Sequence, residues 1–333
     1  MLFRSVIPLI TQSIAEHRMY LPLAAMAAIA ARAAFQHPSR GARRALGALV
    51  LVFGSVTIAR NHGYRTAISI WSDTVAKVSQ NARAHNNLAV ALQQQGDLNQ
   101  ANLHYARAIE LQPDTISARY NWGVALLDQG RAAEAVTQLE TAVRLAPAHA
   151  DAHVNLGNAL MKTGRTVEAI PHYEIALRLK PGADVHYNFG VALADLARTD
   201  AAASHFKSAL QIDPRLSEAY YQLGRLAERA GRMDEAEVHY NETLRRSPDH
   251  VAAHANLGLL LARADRLEAA AAHFRTIIRL QPGNADAHAN LGNVLLLQSR
   301  PREALASYEE ALRLRPDDPR TRENIQIARE SLR

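Results

Sequence analysis

A proline returns along this chain at Pro113, Pro147, Pro181, Pro214, Pro248, Pro282 and Pro316, in steps of 34, 34, 33, 34, 34 and 34 residues. A fixed period in this range marks an array of stacked supersecondary units, because one such unit cannot bury its apolar face alone. The array has seven units: 82–115, 116–149, 150–182, 183–216, 217–250, 251–284 and 285–318. Each unit touches only its neighbours, so stability is expected to be a sum of local terms and not the product of one central core.

The same residue types fall at the same offsets in every unit. Counting the unit start as one, the seventh place holds Leu88, Trp122, Leu156, Phe189, Leu223, Leu257 and Leu291. The eighth is Ala89 in the first unit and glycine in the other six, from Gly123 to Gly292. The twentieth is always alanine, and four residues later stand Tyr105, Leu139, Tyr173, Phe206, Tyr240, Phe274 and Tyr308. Small residues let two helices approach closely where they cross, and the bulky ones fill the space between. Each unit therefore reads as two antiparallel helices. The turn inside it carries Gly96, Gly130, Gly164 and Gly231, as a left-handed helix stop requires. Ala197, Asp265 and Ser299 take that place in the other units, so their turns are either strained or capped differently. The closing proline cannot continue a helix and separates one unit from the next.

These residues resemble the tetratricopeptide repeat. The resemblance implies an all-α fold, a right-handed superhelical solenoid of helical hairpins with a concave groove that holds extended peptides or partner proteins. Residues 319–333, helical in pattern and rich in charge, then read as the capping helix over the last repeat.

Before the repeats the composition changes. Residues 45–59 are an uncharged apolar run, and residues 20–31 hold a shorter one, extended through Arg32 to Phe35. A spanning helix needs about 20 residues, and 15 residues at a rise of ~1.5 Å give only about 22 Å. Arg43, Arg44 and Arg60 can snorkel to cover the difference. The region 1–60 is thus expected to associate with the membrane through two short spanning helices. Competing readings are a buried or amphipathic pair docked on the first repeat, and a signal peptide ending near Ala31-Arg32-Ala33. Arg32, Arg40, Arg43 and Arg44 between the runs mark a cytoplasmic linker, which places the repeats across the membrane, in the periplasm of a bacterium. The alternative is a cytoplasmic protein. Residues 61–81 read as a half repeat, with Ala67 and Trp71 four apart, and Trp71 either packs there or anchors at the interface.

Glu16-His17-Arg18-Met19-Tyr20-Leu21-Pro22, followed by Arg60-Asn61 and Trp71-Ser72-Asp73-Thr74, is similar to the junction in transmembrane and tetratricopeptide-repeat O-mannosyltransferases. That resemblance implies the last two helices of a lipid-sugar-dependent glycosyltransferase membrane domain. The catalytic acidic loop of that group has no counterpart here. The chain reads as a non-catalytic interaction scaffold, or alternatively as the substrate-recruiting part of a membrane protein O-glycosyltransferase.

The sixth place carries a side-chain amide in all seven units: Asn87, Asn121, Asn155, Asn188, Gln222, Asn256 and Asn290. An amide offers donor and acceptor together, so a row of them suits the backbone of an extended chain whatever its sequence. In the resembled family, places two, five, six, nine, twelve and thirteen of the first helix face the groove. The row resembles the asparagine ladder of O-linked N-acetylglucosamine transferases. Tyr120, Tyr187 and Tyr221 at the fifth place add stacking and hydroxyl contacts or pack against neighbours.

Histidine is also in register, at the fourth place (His85, His153, His186, His254, His288) and the twenty-third (His104, His172, His205, His239, His273). Packing is the expected role, because successive repeats need not bring two imidazoles onto one ion. With no cysteine, thiol catalysis, disulfides and cysteine-bound zinc are excluded. The net charge of +6 forms no basic run with interleaved aromatics, so nucleic acid is not an expected partner. No phosphate loop, HExxH pair or nucleophile elbow is present, and no catalytic residue, cofactor, metal or small-molecule substrate is expected. Protein or peptide partners remain.

Overall fold

The computed structural model describes residues 66–332, together with Gly41 and Ala48. Among the described residues there are sixteen helices and no strand. The chain divides into two compact units, Met1–Pro113 and Asp114–Arg333. Apart from Ala48, the apolar runs 20–35 and 45–59 lie outside the described residues, as does the Glu16 to Pro22 segment. No helix among the described residues is long and apolar enough to cross a membrane.

In the first unit, helix α1 (Ala67–Lys77) packs on α2 (Ala82–Gln95), which forms a hairpin with α3 (Leu98–Leu111). A capping box opens α1: Ser69 N donates to Thr66 Oγ1 at 3.1 Å, and Thr66 N donates to Ser69 Oγ at 3.3 Å. Trp71 is half-buried on this helix. Inside the hairpin Ala89, Ala101, Tyr105 and Ala108 are fully buried, and the Tyr105 hydroxyl donates to Gln93 Oε1 at 2.8 Å.

The second unit holds six hairpins and a closing helix. The first helices are α4 (Ile116–Asp128), α6 (Ala150–Lys162), α8 (Ala183–Asp195), α10 (Ser217–Arg229), α12 (Val251–Arg263) and α14 (Ala285–Leu297). Their partners are α5 (Ala132–Leu145), α7 (Thr166–Leu179), α9 (Thr199–Ile212), α11 (Met233–Arg246), α13 (Leu267–Leu280) and α15 (Pro301–Leu314). Each of α5, α7, α9, α11 and α13 packs against the first helix of its own hairpin and that of the next, and α15 packs against α14 and the closing helix.

The reason lies in one recurring contact. A Cβ added to Gly157 would fall 2.7 Å from Tyr173 Cζ, and one added to Gly190 or Gly224 would fall 2.7 Å from the ring of Phe206 or Tyr240. Leu139 and Tyr308 stand in the same way against Gly123 and Gly292, at 2.5 Å, and Phe274 leaves slightly more room at Gly258, at 3.0 Å. The ring occupies the volume that any larger residue would need, and it is fully buried in doing so. Burying such a side chain contributes about 1.5–3 kcal/mol per repeat.

The seven intra-hairpin turns share one backbone geometry whether or not glycine supplies it. Gly164 has φ 76°, and its turn is closed by Gly164 N to Met161 O at 3.0 Å and Arg165 N to Leu160 O at 2.8 Å. Ala197 has φ 56° with the equivalent pair, Ala197 N to Ala194 O at 3.1 Å and Arg198 N to Leu193 O at 2.8 Å. Asp265 and Ser299 follow suit at φ 57° and 58°. The turns without glycine are therefore strained and not differently capped.

Helix α16 (Pro319–Glu330) closes the unit. It begins at Pro319 behind the Asp318 N-cap, buries Ile325 and Ala328 against the cluster around Tyr308, and exposes Arg320, Arg322 and Glu323. That is the asymmetry a capping helix needs.

Two substitutions test this packing. Gly157→Ala should lower unfolding stability by about 1–3 kcal/mol, because the Tyr173 ring has no room to retreat. Ala197→Gly should raise it by ~0.5–1 kcal/mol, the relief of left-handed strain outweighing the added freedom of the unfolded chain. Denaturant unfolding of both variants checks the two signs.

Candidate polypeptide-binding groove

Packing uses the seventh and eighth places of each first helix, and the amides stand beside them at the sixth place. In the second unit Asn121, Asn155, Asn188, Gln222, Asn256 and Asn290 are all half-buried there, on α4, α6, α8, α10, α12 and α14. Asn87 holds the matching place on α2 in the first unit, where its Oδ1 accepts from Asn86 Nδ2 at 3.1 Å.

A cavity of about 410 Å³ opens across α4, α6 and α8. Asn155, Asn158 and Asn188 line it together with Tyr187, and Val124, Leu127, Met161 and Val191 supply apolar wall. Tyr173, the ring that packs Gly157, reaches its floor and donates through its hydroxyl to Asn158 Oδ1 at 2.7 Å. Asp128 and Lys162 stand at its edge with opposite charges. The structure thus brings Asn155, Asn188 and Tyr187 into one cavity, whereas Asn121, Gln222, Asn256 and Asn290 lie outside its lining. Asn158, Met161 and Lys162 were not singled out from the sequence, although their places, nine, twelve and thirteen, are the signal that finds them.

The amides are not all equally available. Asn155 Nδ2 donates to Asp151 O at 2.9 Å and to the Tyr120 hydroxyl at 3.3 Å. Asn256 Nδ2 donates to the hydroxyls of Tyr240 at 3.2 Å and Tyr221 at 3.4 Å. Gln222 Oε1 accepts from an Arg225 guanidinium nitrogen at 3.1 Å. Asn188 and Asn290 make no side-chain hydrogen bond among the described residues. The fifth-place rings pack as well: Tyr120 on His149 and Tyr221 on His250, both at 4.8 Å, and Tyr187 on Phe206 at 5.8 Å. Burial, with Asp151 nearby, pushes the Tyr120 hydroxyl above its ordinary pKa, so it stays protonated.

Away from these faces the histidines pair within repeats. The Nδ1 atoms meet at 2.9 Å in His85–His104, 3.0 Å in His153–His172, 3.0 Å in His186–His205 and 2.8 Å in His254–His273. In three pairs the fourth-place ring donates its Nε2 proton to a backbone carbonyl, at Ser79, Pro147 and Pro248. That fixes its Nδ1 as acceptor for the second ring. The turn before His186 is one residue shorter, and this ring has no such carbonyl bond among the described residues. Where Tyr220 replaces the fourth-place histidine, His239 Nδ1 is buried with no partner. No group of three or more His, Asp or Glu among the described residues is placed to hold a metal ion. Carboxylates at the starts of second helices serve local pairing, as Glu134, Glu168 and Glu303 do with Arg131, Arg165 and Arg300.

A stack of helical hairpins with packing residues at fixed places defines a helical-repeat protein. Family models of the tetratricopeptide repeat match residues 91–130, 120–184, 162–217, 187–249, 221–285 and 285–318, and the chain belongs to that family. It is 30% identical over 112 residues, in the repeats, to protein O-mannosyl-transferase Tmtc3 of Drosophila melanogaster, a stretch that is 32% of this chain and 12% of that protein. Among solved structures it resembles the APC/C hetero-tetramer Cut9-Hcn1, with TM-score 0.57, 18% identity, and coverage of 78% of this chain and 52% of that one. It also resembles Pseudomonas aeruginosa PilF, with TM-score 0.56, 20% identity, and coverage of 65% and 96%. A tetratricopeptide repeat protein from Parabacteroides merdae gives TM-score 0.56 at 18% identity over 74% and 98%. At these identities the likeness to the solved structures is one of fold.

The histidine pairs set a pH dependence. Burial first, and then in each of the four pairs the partner ring, lowers the pKa of His104, His172, His205 and His273, while burial alone lowers that of His186. Burial also lowers the pKa of His153, with the Pro147 carbonyl opposing. Folding therefore favours the neutral rings. The unfolded chain takes up protons near pH ~6.5 while the folded one resists, so this stability is present above that pH and is lost below it. The melting temperature should fall between pH 7.5 and 5, and His153→Phe/His172→Leu should flatten the fall. A melting temperature that is flat across this range would contradict the assignment.

Proposed function

We propose that the chain is a non-catalytic scaffold whose groove, on the first helices of the second unit, receives extended segments of partner proteins. The observation that carries this reading is the cavity across α4, α6 and α8, where side-chain amides from successive repeats stand beside apolar wall. Amides satisfy a backbone without reading its side chains, and the apolar surface receives whatever side chains the segment brings. The region 1–60 tethers the scaffold to a membrane, the bacterial inner membrane with the repeats on the periplasmic side. The two apolar runs and the arginines between them support this placement.

A second reading makes the repeats the substrate-recruiting part of a membrane protein O-glycosyltransferase whose catalytic helices lie outside this sequence. The partial identity to Tmtc3 favours it. Co-purification of a polytopic membrane protein that gives the complex glycosyl-transfer activity would support it, and its absence leaves the scaffold alone.

Asn155→Ala with Asn188→Ala should weaken capture of an extended polypeptide by about 30-fold, at roughly 1 kcal/mol for the hydrogen bond lost at each amide. Because both side chains are partly solvated, the melting temperature should hardly change. Equal affinity of the intact chain and the double variant would remove the amides from the function.

A further inference from the structure

We infer that Tyr120 with Asn155, and Tyr221 with Asn256, form two matching clamps, each taking the C=O and N–H of one residue of an extended polypeptide on a phenolic O–H and an amide Oδ1. This rests on the groove reading and assigns within it the groups that grip the backbone.

The assignment follows from counting hydrogens. An asparagine amide has two donor hydrogens and one carbonyl oxygen. At Asn155 one hydrogen goes to Asp151 O at 2.9 Å, and a backbone carbonyl can only accept, so the orientation of the amide is settled. The other goes to the Tyr120 oxygen at 3.3 Å. At Asn256 the same conclusion is reached by another route. Tyr240 gives its own proton to Glu228 Oε2 at 2.8 Å, so toward Asn256 its oxygen can only accept, which again places Nδ2 on that side. The remaining hydrogen of Asn256 goes to the Tyr221 oxygen at 3.4 Å.

In both pairs the amide has spent its donors and keeps an acceptor. The tyrosine has accepted and keeps its proton. A free O–H thus stands beside a free Oδ1, the complement of what one residue of an extended strand presents. In a strand the C=O and N–H of a single residue point to the same side, as they do in a hydrogen-bonded antiparallel pair. A lone asparagine with its donors occupied cannot offer both.

Each ring is held in place by the same device. Tyr120 packs on His149 and Tyr221 on His250 at 4.8 Å, and these histidines cap α6 and α12 by accepting from Ala152 N at 3.2 Å and Ala253 N at 3.1 Å. The clamps recur three repeats apart. Between them Tyr187 lacks the arrangement: the next N-cap is Leu216 and the next sixth place is Gln222, whose oxygen is taken by Arg225.

The test is fluorescence anisotropy on the full chain with a labelled extended alanine–serine peptide and with the same peptide N-methylated along its backbone. Tyr120→Phe and Tyr221→Phe should each weaken binding of the unmodified peptide about fivefold, and together about 25-fold, with the melting temperature unchanged because the rings remain on their histidines. N-methylation should weaken binding to the wild-type chain by a similar factor per clamp. Phe variants that bind as tightly as wild type, or a wild-type chain indifferent to N-methylation, would overturn the clamps. If Asn155→Ala/Asn188→Ala still weakens binding in that case, the groove survives without them. A wild-type chain that binds neither peptide overturns both.

Discussion

A side chain of one hydrogen sets the spacing of the second unit. From Gly123 to Gly292 the eighth place leaves little or no room for a Cβ, because a ring or leucine from the following helix already stands there. The contact brings the two helices of a hairpin together at fixed distance, and the alanines at the twentieth place, all fully buried, keep the approach close on the other side of the ring. Repeating that contact at a constant period makes each hairpin a copy of the last. From α6 onward the first helix spends one face on its own partner and one on the preceding hairpin, and the rest is left for other work.

That remaining face is where the chain is chemically distinctive. A row of amides alone would be a generic polar surface, since each could turn either way and bind water. The second unit differs because some of these amides are fixed by their own helix or by the preceding repeat: Asp151 O and Tyr120 orient Asn155, and Tyr240 and Tyr221 orient Asn256. Orienting an amide before a ligand arrives removes part of the ordering cost that binding otherwise carries. The histidine pairs belong to the opposite side of this division of labour. They join the two helices of one hairpin, satisfy each other's ring nitrogens and leave the turn carbonyls of Pro147 and Pro248 occupied.

Much of this was legible in the residues alone, since proline spacing, the glycine and ring places and the turn glycines are properties of single positions repeated in register. What was not legible depends on pairs. His153 and His172 lie 19 residues apart across a turn, and a reading that compares one repeat with the next looks 34 residues away and misses them. Tyr120 and Asn155 are separated by 35 residues, and the sequence suggests both as groove residues without showing that the hydroxyl consumes the amide's donor. At Ala197, Asp265 and Ser299 the sequence left two turn geometries open, and the hydrogen bonds inherited from the glycine-containing repeats decided for the strained one. The apolar runs before residue 61 are a property of composition, and they lie outside the described residues.

The central claim is that the amide-bearing faces of the first helices, and not the second helices, form the surface that meets a partner. Hydrogen–deuterium exchange of the full chain with and without a saturating extended peptide measures this directly. Slowed exchange concentrated in 116–128, 150–162, 183–195, 217–229 and 251–263 is the predicted result. Protection that falls instead on the second helices, or none in the second unit, would contradict it.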